Sequence, residues 1–410
     1  MNNPEKLRLQ VYLIGMLLAS FGTGFHFILV SWLLFEETGN AALTGIFVGL
    51  GFLPGLIVNL FFGVIVDRFS RKKLTILSVW LITVIVGLFL MLWSLTGIKI
   101  WMFFGLHMMV QLSGSLFRPS VQAFAAEIFP YDQLTKVYSF AGAVGETGVL
   151  LGASLGGFLL AILSPFIALS FNGCLFLVAG LLFIFLPSFP VNSVSRRGPF
   201  VQNVFQDLLE GLNYLRGNRL LYKLFFIMFV GQLTLHSTVG LLSVYTYSFL
   251  EKGSGTYGLL DASVSIGSIL AGMIAVQFIK RTRGRFGTYA LFFSGIGICL
   301  LVIAQNIFVA GVGLMVIGAG TTWIRVLFQT VQQISTEGRF HGRMASWRMV
   351  FNQGSVVIGA PVLGVIAERT AANIAYSILL IPISIITVYS YLLAKDNSFI
   401  AKVEEMSLRG

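Results

Sequence analysis

Among the ionisable residues inside long apolar runs, four could exchange protons or hold a ligand: His26, Glu146, His236 and Asp261. A polar or charged side chain in hydrocarbon is costly and marks a path for ions or polar ligands by default. Glu146 lies about nine residues into its run, ~14 Å along a helix rising ~1.5 Å per residue. That places its carboxyl near mid-bilayer. A carboxyl there suits a proton carrier, loaded on one side and emptied on the other; equally, it could close an ion pair with Arg118 that fastens two helices. His26 and His236 carry the side chain that titrates near neutral pH. Each serves in proton or cargo handling, or as a hydrogen-bonded packing residue. His107, with no matching histidine, and His341, in a loop, read as structural. Asp261 falls a few residues from the end of its run, where a gating or proton-entry role competes with that of a solvated helix end.

The chemistry stops at proton and ligand exchange. No Gly-x-x-x-x-Gly-Lys-Ser/Thr loop is present to hold a nucleotide, so an ion gradient is the expected energy source. No metal-ligand spacing occurs. Cys174 and Cys299 fall within apolar runs and read as buried small residues, not as a disulfide or metal pair. No stretch is long enough for a soluble catalytic domain. Neither an enzyme nor a cofactor is expected.

The elements that must position these residues follow from composition. Of 410 residues, 56% are hydrophobic and 10% charged, against roughly a quarter charged in soluble domains; mean hydropathy is +0.88. Apolar runs near the ~20 residues that span a bilayer predict twelve helices, at 10–35, 41–66, 74–95, 101–125, 137–163, 166–187, 221–250, 257–279, 287–305, 307–330, 345–367 and 373–394. The fold class is therefore all-α membrane protein. With both termini in the cytoplasm, only Lys99, Lys252 and Arg369 fall on the outer side and Arg118 and Arg325 within spans; every other lysine and arginine is cytoplasmic. Facing anionic lipid, these residues account for the net charge of +11 without any nucleic-acid partner. The first run lacks a small-residue cleavage site and is expected to remain as helix 1.

Residues 188–220, with Ser188, Pro190, Ser193 and Gly198 ahead of an amphipathic stretch from Val201 to Leu215, read as a cytoplasmic linker with a helix on the inner leaflet. It separates six-helix bundles at 1–187 and 221–394, and 395–410 forms a cytoplasmic tail. The bundles repeat each other. At an offset of 207, Arg118 and Gln122 overlay Arg325 and Gln329, Lys136 overlays Arg343, Gly152 overlays Gly359 and Gly157 overlays Gly364; at 210, His26 overlays His236 and Gly45 overlays Gly255. Glu146 overlays Gln353, so only the first half carries that charge.

Two motifs carry a family resemblance. Gly63-x-x-x-Asp67-Arg68-x-x-Arg71-Lys72-Lys73 resembles the loop between helices 2 and 3 of the major facilitator superfamily of transporters. Gly148-x-x-x-Gly152-Ala153-x-x-Gly156-Gly157 resembles that superfamily's exporter motif, with Ala153 in place of the usual proline. Glu37-Thr38-Gly39-Asn40-Ala41, Pro54 and Arg118-Pro119-Ser120-Val121-Gln122-Ala123 are similar to the macrolide-efflux branch. The resemblance implies the major facilitator fold, helices 1 and 7 lining a central cavity, and drug:proton antiport. It gives Gly63, Asp67, Arg68, Arg71, Lys72 and Arg348 a part in a conformational switch, Asp67 meeting Arg343 and Arg348 near the start of helix 11. Against this, Arg68, Arg71, Lys72 and Lys73 could simply anchor the loop to headgroups. Gly148, Gly152, Gly156 and Gly157 would let helices approach closely. Arg118, Gln122, Arg325 and Gln329 are helix-pairing candidates.

The expected protein is a monomeric inner-membrane exporter moving a lipophilic or amphipathic small molecule against protons. A uniporter or flippase on the same scaffold, or a receptor or assembly factor that no longer transports, are the alternatives.

Overall fold

The computed structural model describes residues 3–130, 133–187, 200–337 and 340–409. No strand occurs among the described residues. The first half comprises α1 (Asn3–Thr38), α2 (Ala41–Arg68), α3 (Arg71–Thr96), α4 (Ile100–Ile128), α5 (Leu134–Ile162) and α6 (Pro165–Ile184). A linker helix, α7 (Phe200–Gly217), follows. The second half comprises α8 (Arg219–Gly240), a short α9 (Leu242–Val244) running into a π-turn at Tyr245–Phe249, α10 (Ser254–Thr282), α11 (Phe286–Ile303), α12 (Ile307–Ile334), α13 (His341–Arg369), α14 (Ala372–Ser377) and α15 (Leu380–Leu393); α16 (Asn397–Arg409) ends the chain. Twelve segments are long and apolar enough to cross a membrane, α14 and α15 together making the twelfth.

Local chemistry sets the ends of these helices. Ser70 accepts the Lys73 N–H at the start of α3, and Gly97 closes that helix at φ 72°, a left-handed angle that suits a residue without Cβ. Ser164 caps α6, with Pro165 in its first turn. Asn218 and Asn306 cap α8 and α12 in the same way. The seventh span, expected as one run to 250, breaks at Leu241 and finishes as a π-turn.

The helix surfaces are apolar on the outside: Phe308 is 80% and Met273 72% exposed. Exposed apolar area of this kind belongs against lipid, not water. Cys174 and Cys299 share that surface. The expectation that they are buried small residues is corrected: their helices present those faces outward, where an apolar thiol costs little.

Two compact units divide the chain: Met1–Thr38, Leu50–Gly198 and Gly253–Gly258 in the first, and Gly39–Gly49, Pro199–Lys252 and Leu259–Gly410 in the second. In the first, α1 packs on α5 and α6, and α3 on α4 and α6. A core of Tyr12, Val121, Phe124, Ile128, Val137 and Phe183 closes the basic end of this unit. In the second, α8 packs on α12, α13 and α15, and α11 on α12 and α15. Trp323 donates to Ala271 O at 2.9 Å and stacks on Phe278 with ring centroids 5.3 Å apart, tying α12 to α10.

Both amphipathic helices dock within the second unit. Arg343 of α13 pairs with Glu210 of α7 at 2.7 Å, and Trp347 donates to Leu208 O at 3.1 Å. Tyr214 stacks on Phe340 with centroids 4.0 Å apart. For α16, Lys223 meets Asp396 at 3.0 Å and Phe399 stacks on Phe328.

Candidate functional site

The exporter-like motif on α5 packs through its missing side chains. A carbon added to Gly148 would lie 2.8 Å from Ser20 Cβ and 2.9 Å from Leu17 O of α1; on Gly152 it would run into the Phe21 carbonyl; on Gly156 it would lie 2.5 Å from the Phe25 ring. Three glycines one turn apart thus bring the α5 backbone against α1. Gly157 serves a different neighbour, for its added carbon would lie 2.6 Å from Ser254 O and 2.7 Å from Gly258 Cα of α10. Ala153 is 5% exposed and packs in the same seam, opposite Gly24.

Glu146, thirteenth of the 29 residues of α5, points away from this seam and is exposed. It makes no ion pair or hydrogen bond among the described residues, and Arg118 on α4 is likewise exposed without a partner. A mid-span carboxylate facing lipid tails is expensive, so a face that presents one suits a water-containing path. Gln122 is exposed, and its carbonyl accepts a bond from Tyr138 at 3.2 Å.

His26 is buried inside the first unit and stacks on His107 of α4, with ring centroids 5.8 Å apart and planes 12° from parallel. Asn172 of α6 is the polar group beside His26 and donates to Gly22 O at 2.8 Å. No sequence spacing links positions 26, 107 and 172; only the meeting of α1, α4 and α6 does.

In the second unit His236 Nε2 lies 3.0 Å from Asn352 Oδ1 of α13. Asp261 of α10 is 8% exposed, a buried residue and not a solvated helix end. No ion pair joins it among the described residues. Arg325 is exposed and has no partner among the described residues, and Gln329 is half-buried on the same helix.

The basic loop residues act through carbonyls. Lys72 donates to Ile184 O at 2.8 Å and Leu186 O at 2.6 Å, neutralising the carbonyl-rich end of α6. Arg71 donates to Ala123 O at 3.4 Å. Arg348 donates to Gln332 at 3.3 Å, while Arg343 is held by Glu210. Gly63 and the side chains of Asp67 and Arg68 lie outside the described ones. Sequence reasoning passed over Glu210, whose position in α7 carries no motif, and Glu368, whose Oε2 accepts the Ala41 N–H at 2.6 Å.

The sequence pattern of the Major Facilitator Superfamily matches residues 12–361. Among curated relatives, macrolide efflux protein A of Streptococcus pyogenes is 21% identical over 77% of this chain and 74% of its own length. The staphyloferrin A transporter of Staphylococcus aureus is 22% identical over 92% of this chain and 93% of its own. Among solved structures, a bacterial homologue of the human lysosomal transporter Spinster superposes with a TM-score of 0.76 at 11% identity, covering 98% of this chain and 99% of that one.

Proposed function

The chain belongs to the Major Facilitator Superfamily, and on that premise we propose that it exports a lipophilic or amphipathic small molecule by proton antiport. It is a multi-pass membrane transporter of small molecules and not an enzyme. The observation that carries the finer reading is Glu146, a mid-span carboxylate turned away from helix packing and without an ion pair among the described residues. Such a group exchanges a proton or a cationic cargo with a water-filled path. Asp261, buried in α10 with no ion pair among the described residues, is the second proton candidate. Efflux is the direction suggested by the relative named macrolide efflux protein A and by the glycine motif on α5.

In this reading transport is by alternating access, with halves 1–187 and 221–394 joined by the linker 188–220, and the tail 395–410 and both termini in the cytoplasm of a bacterial inner membrane. The asymmetry of lysine and arginine supports that orientation, and a monomer suffices. His236, held to Asn352, helps shape the cargo path.

Reconstituted full-length chain tests the proposal. Accumulation of labelled erythromycin in proteoliposomes under a pH gradient is expected for the native sequence and abolished by a protonophore. Glu146→Gln should lower gradient-driven accumulation at least tenfold, and Asp261→Asn should flatten its pH profile. Full coupling in both variants overturns the assignment of these carboxyls, and insensitivity to the protonophore turns the reading towards a uniporter.

A further inference from the structure

The first unit holds a buried polar cluster that the carboxyl groups above leave unused. We propose that His26 and His107 form a two-imidazole site that takes up one proton and couples it to conformation, separately from Glu146 and Asp261. The proposal rests on the proton-driven reading.

The cluster is built for rings. His26 and His107 are each 1% exposed and nearly parallel. At Gly51 of α2 any side-chain carbon would collide with the His107 imidazole, so the missing side chain makes the space that the ring occupies. Phe27 and Phe52 flank His107 with centroids 6.2 and 6.4 Å away. Asn172 is fully buried, and its amide donates to Gly22 O, which leaves Oδ1 as the free acceptor. That oxygen and both ring nitrogens of His26 are buried with no hydrogen bond of good geometry, though the Asn172 side chain lies within reach of the ring. Buried polar atoms in native proteins are nearly always satisfied, so such a group calls for a functional explanation. A neutral His26 carries one N–H and an imidazolium two, so the charged ring can donate to Asn172 Oδ1 whichever nitrogen faces it.

The surroundings limit the pair to one proton. Two imidazolium rings at this separation, shielded from water, repel strongly, so the protons belong to the pair and not to either ring alone. α6 contributes Asn172 and no charged residue. α5 faces α1 here through glycines, and its Glu146 is exposed elsewhere. α2 and α3 carry their charges near the Asp67–Lys73 loop, α1 carries its own near its ends, and α4 carries Arg118 and Glu127 well beyond His107. A single charge on the pair is therefore costlier in this sealed packing than in one that admits water. Proton uptake accordingly favours a conformation in which α4 draws back from α1, and acid shifts the population away from the packing seen here.

Two measurements test this on the full-length chain. In nanodiscs, nitrogen-15 labelling of the four histidines follows each ring across pH, with His341 as the exposed reference. The expected result is one proton shared by His26 and His107 in a single transition, accompanied by a second set of signals. Two independent transitions, or none down to pH 4, overturn the proposal. In proteoliposomes with labelled erythromycin, each coupled proton supports about tenfold accumulation per pH unit. His26→Phe and His107→Phe keep a ring in the space but cannot bind a proton. Each should lower steady-state accumulation by about tenfold, and the double variant should be no worse than either single one. A merely structural role would slow approach to the same ratio. Unchanged ratios in variants of a gradient-driven protein overturn this site alone; a native chain indifferent to the gradient overturns the transport reading and the coupling with it.

Discussion

The seam between α5 and α10 in the first unit and the seam between α13 and α2 in the second are built alike, yet only one carries a charge. Gly157 meets Ser254 O and Gly258; Gly364, at the matching repeat position, meets Ala41 O and Gly45. In both, a glycine lets backbone lie on backbone, which is how helices pack where lipid supplies no hydrophobic drive. One turn further along, Glu368 accepts the Ala41 N–H at 2.6 Å, beside the Asn40 side chain that accepts the Leu43 N–H. The repeat puts Ala161 opposite Glu368, and its methyl lies 3.9 Å from the position of a carbon added to Gly255. The same packing rule thus serves both seams, while the Glu368 clasp belongs to one of them. The carboxylate also suits the positive end of α2, so the α2 seam is held by packing and charge, the α10 seam by packing.

The largest expected effect breaks what the seams share. Gly157→Val and Gly364→Val each force a side chain into backbone and should cost about 3 kcal/mol or more. Gly142→Val, with nothing within 4 Å of the added carbon, should leave the melting temperature in nanodiscs unchanged. Equal tolerance at all three positions would mean that the seams are not close-packed. A smaller effect sharpens the difference between them. Glu368→Gln should weaken the α2 clasp by about 1 kcal/mol, read as faster amide exchange at residues 41–44 with no change at residues 254–258.

The smallest concerns the docked tail. The Ser398 hydroxyl and then Lys223 hold the Asp396 carboxyl below the usual carboxylate range. With its folded value depressed, Asp396 contributes fully above the unfolded value near 4 and loses that contribution as pH falls through the folded one. Amide protection factors in 397–404, with the intrinsic pH dependence of exchange divided out, should therefore be flat from pH 5 to 8 and fall only in stronger acid. Asp396→Asn should erase the acid-induced fall; a fall starting near pH 6 would assign it to another group.

Much of the architecture was legible in the residues. Apolar runs of bilayer length, cut by Ser70, Gly97, Ser164-Pro165 and Asn306, delivered twelve helices, because helix formation in hydrocarbon depends on local composition and on satisfying the backbone. The glycines of α5 were legible as a packing face because their spacing repeats with the helix. The histidines show where this ends. His26 and His236 match in register, yet one stacks on His107 and the other meets Asn352. At the repeat offset, Asn352 corresponds to Gly145, which offers no side chain. Likewise the pairing of Arg343 with Glu210 of the linker helix follows no motif in the sequence.

By itself the sequence determined the membrane class and the number of spans, which follow from periodicity and composition along one chain, and the family, which its motifs carry. Tertiary structure alone decided which charges are partnered. It left Glu146 exposed, buried Asp261, brought His107 to His26 and set Glu368 on the start of α2. The physical reason is geometric: a helix turns 100° per residue, and which side of that circle meets a neighbour, and at what height, is settled only when all the helices pack together.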